Sequence, residues 1–122
     1  HSVDSIKLAK KISDEQKKIE KNIKIFIQIN IGEENQKSGV NLSDFEKLYH
    51  YCKNELKLDV IGLMCIPPNS DNPEKYFSQM FEIKKKFNLK DLSMGMSSDY
   101  LLAMKYGSTY VRIGSRIFGA RN

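Results

Sequence analysis

The 122 residues predict a parallel α/β fold, the second half of an eight-stranded (β/α)8 TIM-type barrel, on two observations. Strand-like and helix-like signals alternate along the whole chain, a pattern that favours βα units over an all-α or all-β design. Four such units in this length match the rate at which a barrel of ~250 residues consumes sequence. Length and composition bound the answer at one domain, residues 1–122, with 40% hydrophobic and 29% charged residues.

His1-Ser2-Val3-Asp4 reads as the frayed end of a strand. Asp4 or Ser5 then caps a helix to about Lys21, with Leu8, Ala9, Ile12 and Ile19 on its apolar side. Ile23 to Asn30 follows as a strand in which isoleucines alternate while Phe26 keeps the run apolar. A polar loop spans Gly32 to Gly39, and Asn30 and Glu33 read as loop caps or, alternatively, as polar pocket residues, with caps preferred. Ser43 with Glu46 has the spacing of a capping box, and Phe45, Leu48, Tyr49, Cys52 and Leu56 recur at helical period behind it. Leu58 to Ile66 is a second strand, stopped by Pro67-Pro68. Asn72-Pro73 opens a helix carrying Phe77, Met80, Phe81 and Phe87. Leu92 to Met94 is a short third strand. Ser98 or Asp99 starts a helix that Gly107 closes, Tyr110 to Ile113 is the fourth strand, and a helical turn through Ile117-Phe118 ends the sequence. With the edges Ile23–Asn30 and Tyr110–Ile113 open, the piece is expected to self-associate or to pair with a missing N-terminal half-barrel.

Two places carry chemistry. Leu92 to Asp99 and Gly107 to Ser115 are apolar or β-branched runs that break into Gly and Ser where a helix can begin. Glycine lets backbone approach a ligand, serine adds a hydroxyl, and a helix start offers unpaired N–H groups with partial positive charge. Two such turns at the end of a βα chain suggest a phosphate cradle.

Other classes fit less well. The net charge of +5 is spread over lysines on helix faces, whereas nucleic-acid binding calls for a concentrated basic surface with interleaved aromatics. No run reaches the ~20 apolar residues of a membrane helix. His50 and Cys52, two apart on a helix, share no face, so no metal site is expected. The methionines, Met64, Met80, Met94, Met96 and Met104, read as core fillers. Cys52 and Cys65 show no paired spacing, which points to reduced thiols and the cytoplasm.

These residues resemble a known family. His1 to Ser5, Gln28-Ile29-Asn30 with Glu33 and Lys37-Ser38-Gly39, Gly62-Leu63-Met64, Leu92 to Asp99 and Gly107 to Arg121 look like the C-terminal half of the pyridoxal-phosphate homeostasis proteins. That family's fold resembles the N-terminal barrel of alanine racemase. The resemblance implies a cytoplasmic, non-catalytic carrier of pyridoxal 5′-phosphate (PLP). Carried over residue by residue, Ser97 looks like the hydroxyl on the cofactor phosphate. Gly114 and Ser115 look like donors from the last loop, Arg112 resembles the arginine facing the pyridine nitrogen, and Met94 would line the pocket beside Ser97. The family's aldimine lysine sits on a first strand that this sequence does not contain. Lys24 enters its strand from the wrong end and Lys37 lies in a polar loop, so no lysine here takes that role. A PLP-dependent alanine racemase-like enzyme is the alternative, and it would need that lysine and a catalytic base. Binding of a bare phosphate or sulfate ion is a third expectation.

Overall fold

A computed structural model describes residues 2–32, 38–67, 72–96 and 100–112. Five strands pair side by side, all parallel, in chain order: β1 (Ser2–Val3), β2 (Lys24–Gln28), β3 (Asp59–Met64), β4 (Asp91–Met96) and β5 (Tyr110–Arg112). Between them run α1 (Ile6–Ile19), α2 (Leu42–His50), α3 (Pro73–Lys86) and α4 (Tyr100–Lys105). Neighbouring strands in sequence are neighbours in space and every connection is a crossover, the plan of an open piece of (β/α)8 barrel.

Side-chain alternation fixes the faces. Ile25, Ile27 and Ile29 on β2 and just beyond it, Leu63 and Cys65 at β3, and Leu92 and Met94 on β4 are buried in a single core. The helices supply the other side of that core: Ala9 and Ile12 from α1, Phe45 and Leu48 from α2, Phe77 and Met80 from α3, and Ala103 from α4. Phe26, Gln28, Val60 and Ser93, of the opposite parity, are only half-buried. This is the two-residue period of a sheet covered by helices on one face. Phe26 therefore does not make β2 a strand buried on both faces; the isoleucines decide.

Several expectations are corrected. Ser2 and Val3 are not frayed but pair with Phe26 and Ile27, so β1, not β2, is the outer strand on that side. The cap of α2 is Asn41, whose side chain makes no capping bond, and Ser43 lies inside the helix rather than opening a capping box. The backbone turns two residues earlier because Val40 is held against Gln28 and Asn30 by amide–carbonyl bonds of 2.8 and 2.9 Å. The apolar stripe from Phe45 to Leu56 is continuous, but beyond α2 it is carried by a π-helical turn at Tyr51–Glu55. β4 has six residues, twice the expected length. Met104 is exposed on α4 and is no core filler.

Other elements follow their local chemistry. Ser5 caps α1, its hydroxyl accepting from the Leu8 amide at 3.2 Å. Pro73 occupies the first turn of α3. Gly107, at φ +93°, ends α4, and the Ser108 amide reaches back to the Ala103 carbonyl at 3.1 Å. A Cβ at Gly107 would lie 2.9 Å from the Phe81 ring. The strand Tyr110–Ile113 is described to Arg112, and the turn through Ile117-Phe118 lies outside the described residues.

Candidate functional site

In a parallel sheet all strands end at one pole, and there the connecting loops converge. On the β2 side this pole is closed by backbone. The loop after β2 folds back so that Val40 bridges Ile29, and the Gly39 amide donates to the Asp4 carboxylate at 3.1 Å. Gly39 sits at φ +114°, and a Cβ there would lie 2.6 Å from the Asn30 nitrogen. Asn30, at the strand end, is 7% exposed. Gly39 thus docks onto the end of β2 and leads into α2; Glu33 and Lys37 lie outside the described residues.

The β4–β5 pairing is framed by hydroxyls from the loop that enters β5. Thr109 Oγ1 accepts from the Leu92 amide at 3.0 Å, and its own amide donates to the Leu92 carbonyl at 2.9 Å. Ser108 Oγ donates to the Met94 carbonyl at 2.8 Å and accepts from the Met94 amide at 3.3 Å. The two strands then fall out of step. Ser93 pairs with Tyr110 but Met96 pairs with Arg112, so three residues of β4 oppose two of β5. An extra residue of this kind bends a strand and re-aims the residues beyond it, and it is common beside binding sites. The sequence signal for it was available: Gly95 interrupts the strand interior between Met94 and Met96.

Met96 and Arg112 are the last paired positions, and from them the chain enters residues 97–99 and 113–122. Ser97, Gly114 and Ser115 lie outside the described residues, as does the side chain of Arg112, whose backbone ends β5. Met94 is fully buried in the apolar core, on the same parity as Leu92, with no surface open to a pocket. Its contribution is to anchor the strand that delivers the chain to Ser97.

Lys24 is exposed at the opposite, entry end of β2. Cys52 and Cys65 are free and buried, and burial pushes the Cys52 thiol from 9.0 up to about 11. Tyr106, at the end of α4, donates to Glu74 in the first turn of α3 at 3.2 Å, and that carboxylate raises its pKa. No helix among the described residues is long and apolar enough to cross a membrane.

Comparison with known proteins places this geometry. The profile of the alanine racemase N-terminal domain matches residues 1–122. The pyridoxal phosphate homeostasis protein of Aquifex aeolicus is 37% identical over 99% of this chain and 57% of its own length. Its namesake from Escherichia coli K12 is 34% identical over 100% and 56%. Among solved structures, PipY of Synechococcus elongatus, determined without PLP, superposes with a TM-score of 0.84 at 29% identity, covering 98% of this chain and 60% of that one. The chain thus spans little more than half the length of these relatives.

Proposed function

The chain belongs to the alanine racemase N-terminal domain family, and from that premise we propose that it is the phosphate-gripping half of a cytoplasmic PLP carrier. Residues 1–122 form one partial domain, the second half of the barrel. The carrying observation is the end of the β4–β5 pair, where a strand bulge precedes two adjacent exits into Gly/Ser-rich segments. Neighbouring strand ends that lead into such segments suit a phosphate, because backbone N–H groups and hydroxyls can converge on it without a Cβ in the way. In this reading Ser97 and Ser115 give hydroxyls, Gly114 gives a close-approaching amide, and Arg112 faces the ring nitrogen. An arginine stays charged and cannot take up a proton. It leaves the ring nitrogen unprotonated and weakens the ring as an electron sink. Such an environment holds an aldehyde cofactor without running carbanion chemistry, which favours a carrier over a racemase. Met94 supports the site from beneath.

Two properties of the relatives bear on this reading. Those from Aquifex aeolicus and Escherichia coli carry the name of homeostasis proteins rather than of an enzyme. Their greater length leaves the covalent anchor to residues beyond this chain. The test is a titration of PLP into the full-length protein, followed by visible absorbance and competed with inorganic phosphate. Binding that weakens at least tenfold in Ser97→Ala/Ser115→Ala supports the proposal, and unchanged affinity overturns it. Turnover of alanine by the loaded protein would move the reading to the racemase alternative.

A further inference from the structure

At the opposite pole, where strands begin and helices end, the fold collects charge that the linear sequence scatters. The last turns of the helices, the π-helical turn, the loops beyond them and the first strand residues hold twelve lysines against four carboxylates, Glu20, Glu55, Asp59 and Asp91. Eleven of the twelve are exposed, and none is in an ion pair among the described residues. This pole therefore carries more positive charge than the net +5 of the whole chain. Lysines in a last helical turn complement the helix dipole. Lys57 and Lys90, however, stand beyond their helices, in the loops before β3 and β4, where that reason lapses.

The arrangement is a row. α1 packs on the π-helical turn, the rings of Phe45 and Tyr49 pack on Phe87 at the end of α3, each at 5.0 Å, and α3 packs on α4. Successive helix ends at roughly 10 Å spacing place their lysines along an arc. Aromatic rings lie under part of it: the ammonium groups of Lys84 and Lys85 sit 5.8 and 5.9 Å from the Phe81 centroid, and that of Lys86 sits 5.8 Å from Phe87. Their stems are held down while the charges stay outward.

We propose that this lysine arc is a docking surface for the phosphodiester backbone of a single-stranded nucleic acid, bound without sequence preference. A line of point charges fits a linear polyanion. A bilayer would also want insertable apolar side chains in the same row. The two large exposed ones at this pole, Ile19 and Met104, lie at the ends of α1 and α4, the outermost described helices.

The experiment is fluorescence anisotropy of a labelled twenty-nucleotide oligo-dT with the purified protein, in a salt series from 50 to 200 mM. Contact with three or more phosphates gives a log–log salt slope of about −2 or steeper. The charge reversal Lys57→Glu/Lys85→Glu/Lys90→Glu is expected to lose at least tenfold in affinity. Lys7→Glu/Lys10→Glu/Lys75→Glu, an equal change away from the arc, is expected to stay within threefold. Should a variant misfold, acetylation footprinting of the unaltered protein replaces it, with oligonucleotide protecting Lys57, Lys85 and Lys90 but not Lys7 or Lys10. No binding at 50 mM salt, equal losses in both triples, uniform protection, or binding of anionic vesicles in place of the oligonucleotide each overturns the proposal. Visible absorbance of added PLP, read in parallel, reports the other pole and separates the two failures.

Discussion

The β2–β3 pair and the β4–β5 pair are both parallel, yet they are held by different means. β2 and β3 are fixed by what they bury: Ile25, Ile27 and Leu63 have no exposed surface, and a one-residue slip would turn them out of the core. Gly62 lets β3 sit close to both neighbours, since a Cβ there would collide with the Asp91 carbonyl of β4 and lie 2.9 Å from the Phe26 ring of β2. β4 and β5 meet instead through the hydroxyls of Ser108 and Thr109; each pair carries one register shift, between Ile25 and Phe26 in β2–β3 and between Ser93 and Met96 in β4–β5. Apolar burial keeps the isoleucines of β2 on the core face even across the shift at Ile25/Phe26. Hydroxyl bonds to backbone are weaker and directional, and in β4–β5 the register shift falls at the end where the chain leaves the sheet towards the proposed site.

The difference can be broken most severely at Gly62. Gly62→Val forces β3 away from the Asp91 carbonyl of β4 and against the Phe26 ring of β2, and a loss of about 3 kcal/mol or more in urea unfolding is expected. A loss under 1 kcal/mol would show that the pairing has slack. Ile27→Ala removes a fully buried side chain and is expected to cost about 3 kcal/mol, with no effect on the β4–β5 end.

Alkaline pH probes the same core through Cys52. Its folded pKa lies above its ordinary value, so between pH 9 and about 11 the unfolded chain loses a proton that the folded chain keeps. Stability is therefore full below pH 9 and falls as pH rises through that window, by up to about 3 kcal/mol. Thermal melts from pH 8 to 11 check it, with Cys52→Ala flattening the fall.

Ser108→Ala strips the Met94 carbonyl and amide of their hydroxyl partner. It is expected to cost about 1–2 kcal/mol and to speed amide exchange at β5 while β2 and β3 are unchanged. Uniform exchange across all five strands would dissolve the contrast. The smallest effect is expected at Ser5→Ala, where loss of the α1 cap costs about 1 kcal/mol.

Much of this was legible residue by residue. The alternating isoleucines of β2, Pro73 at the start of α3, Ser5 as a cap and Gly107 as a stop are local rules satisfied locally. The failures have a common cause. The capping box at Ser43 was outcompeted by Val40 bonding to β2, and Ser2-Val3 became a strand only because Phe26 and Ile27 offered it an edge. The bulge in β4 likewise exists only against β5. Of the proposed site, the chemistry of Ser97, Arg112, Gly114 and Ser115 was a matter of residue type and resemblance. Met94, read as a pocket wall, is core.

Sequence alone determined the βα alternation, the apolar faces and the Gly/Ser-rich breaks, because each depends on neighbours a few positions away. Only the tertiary structure decided which strands adjoin, where β4 slips against β5, and that lysines from four separate helix ends line one pole. Those facts depend on residues far apart in the chain, brought together when crossover connections stack parallel strands in order.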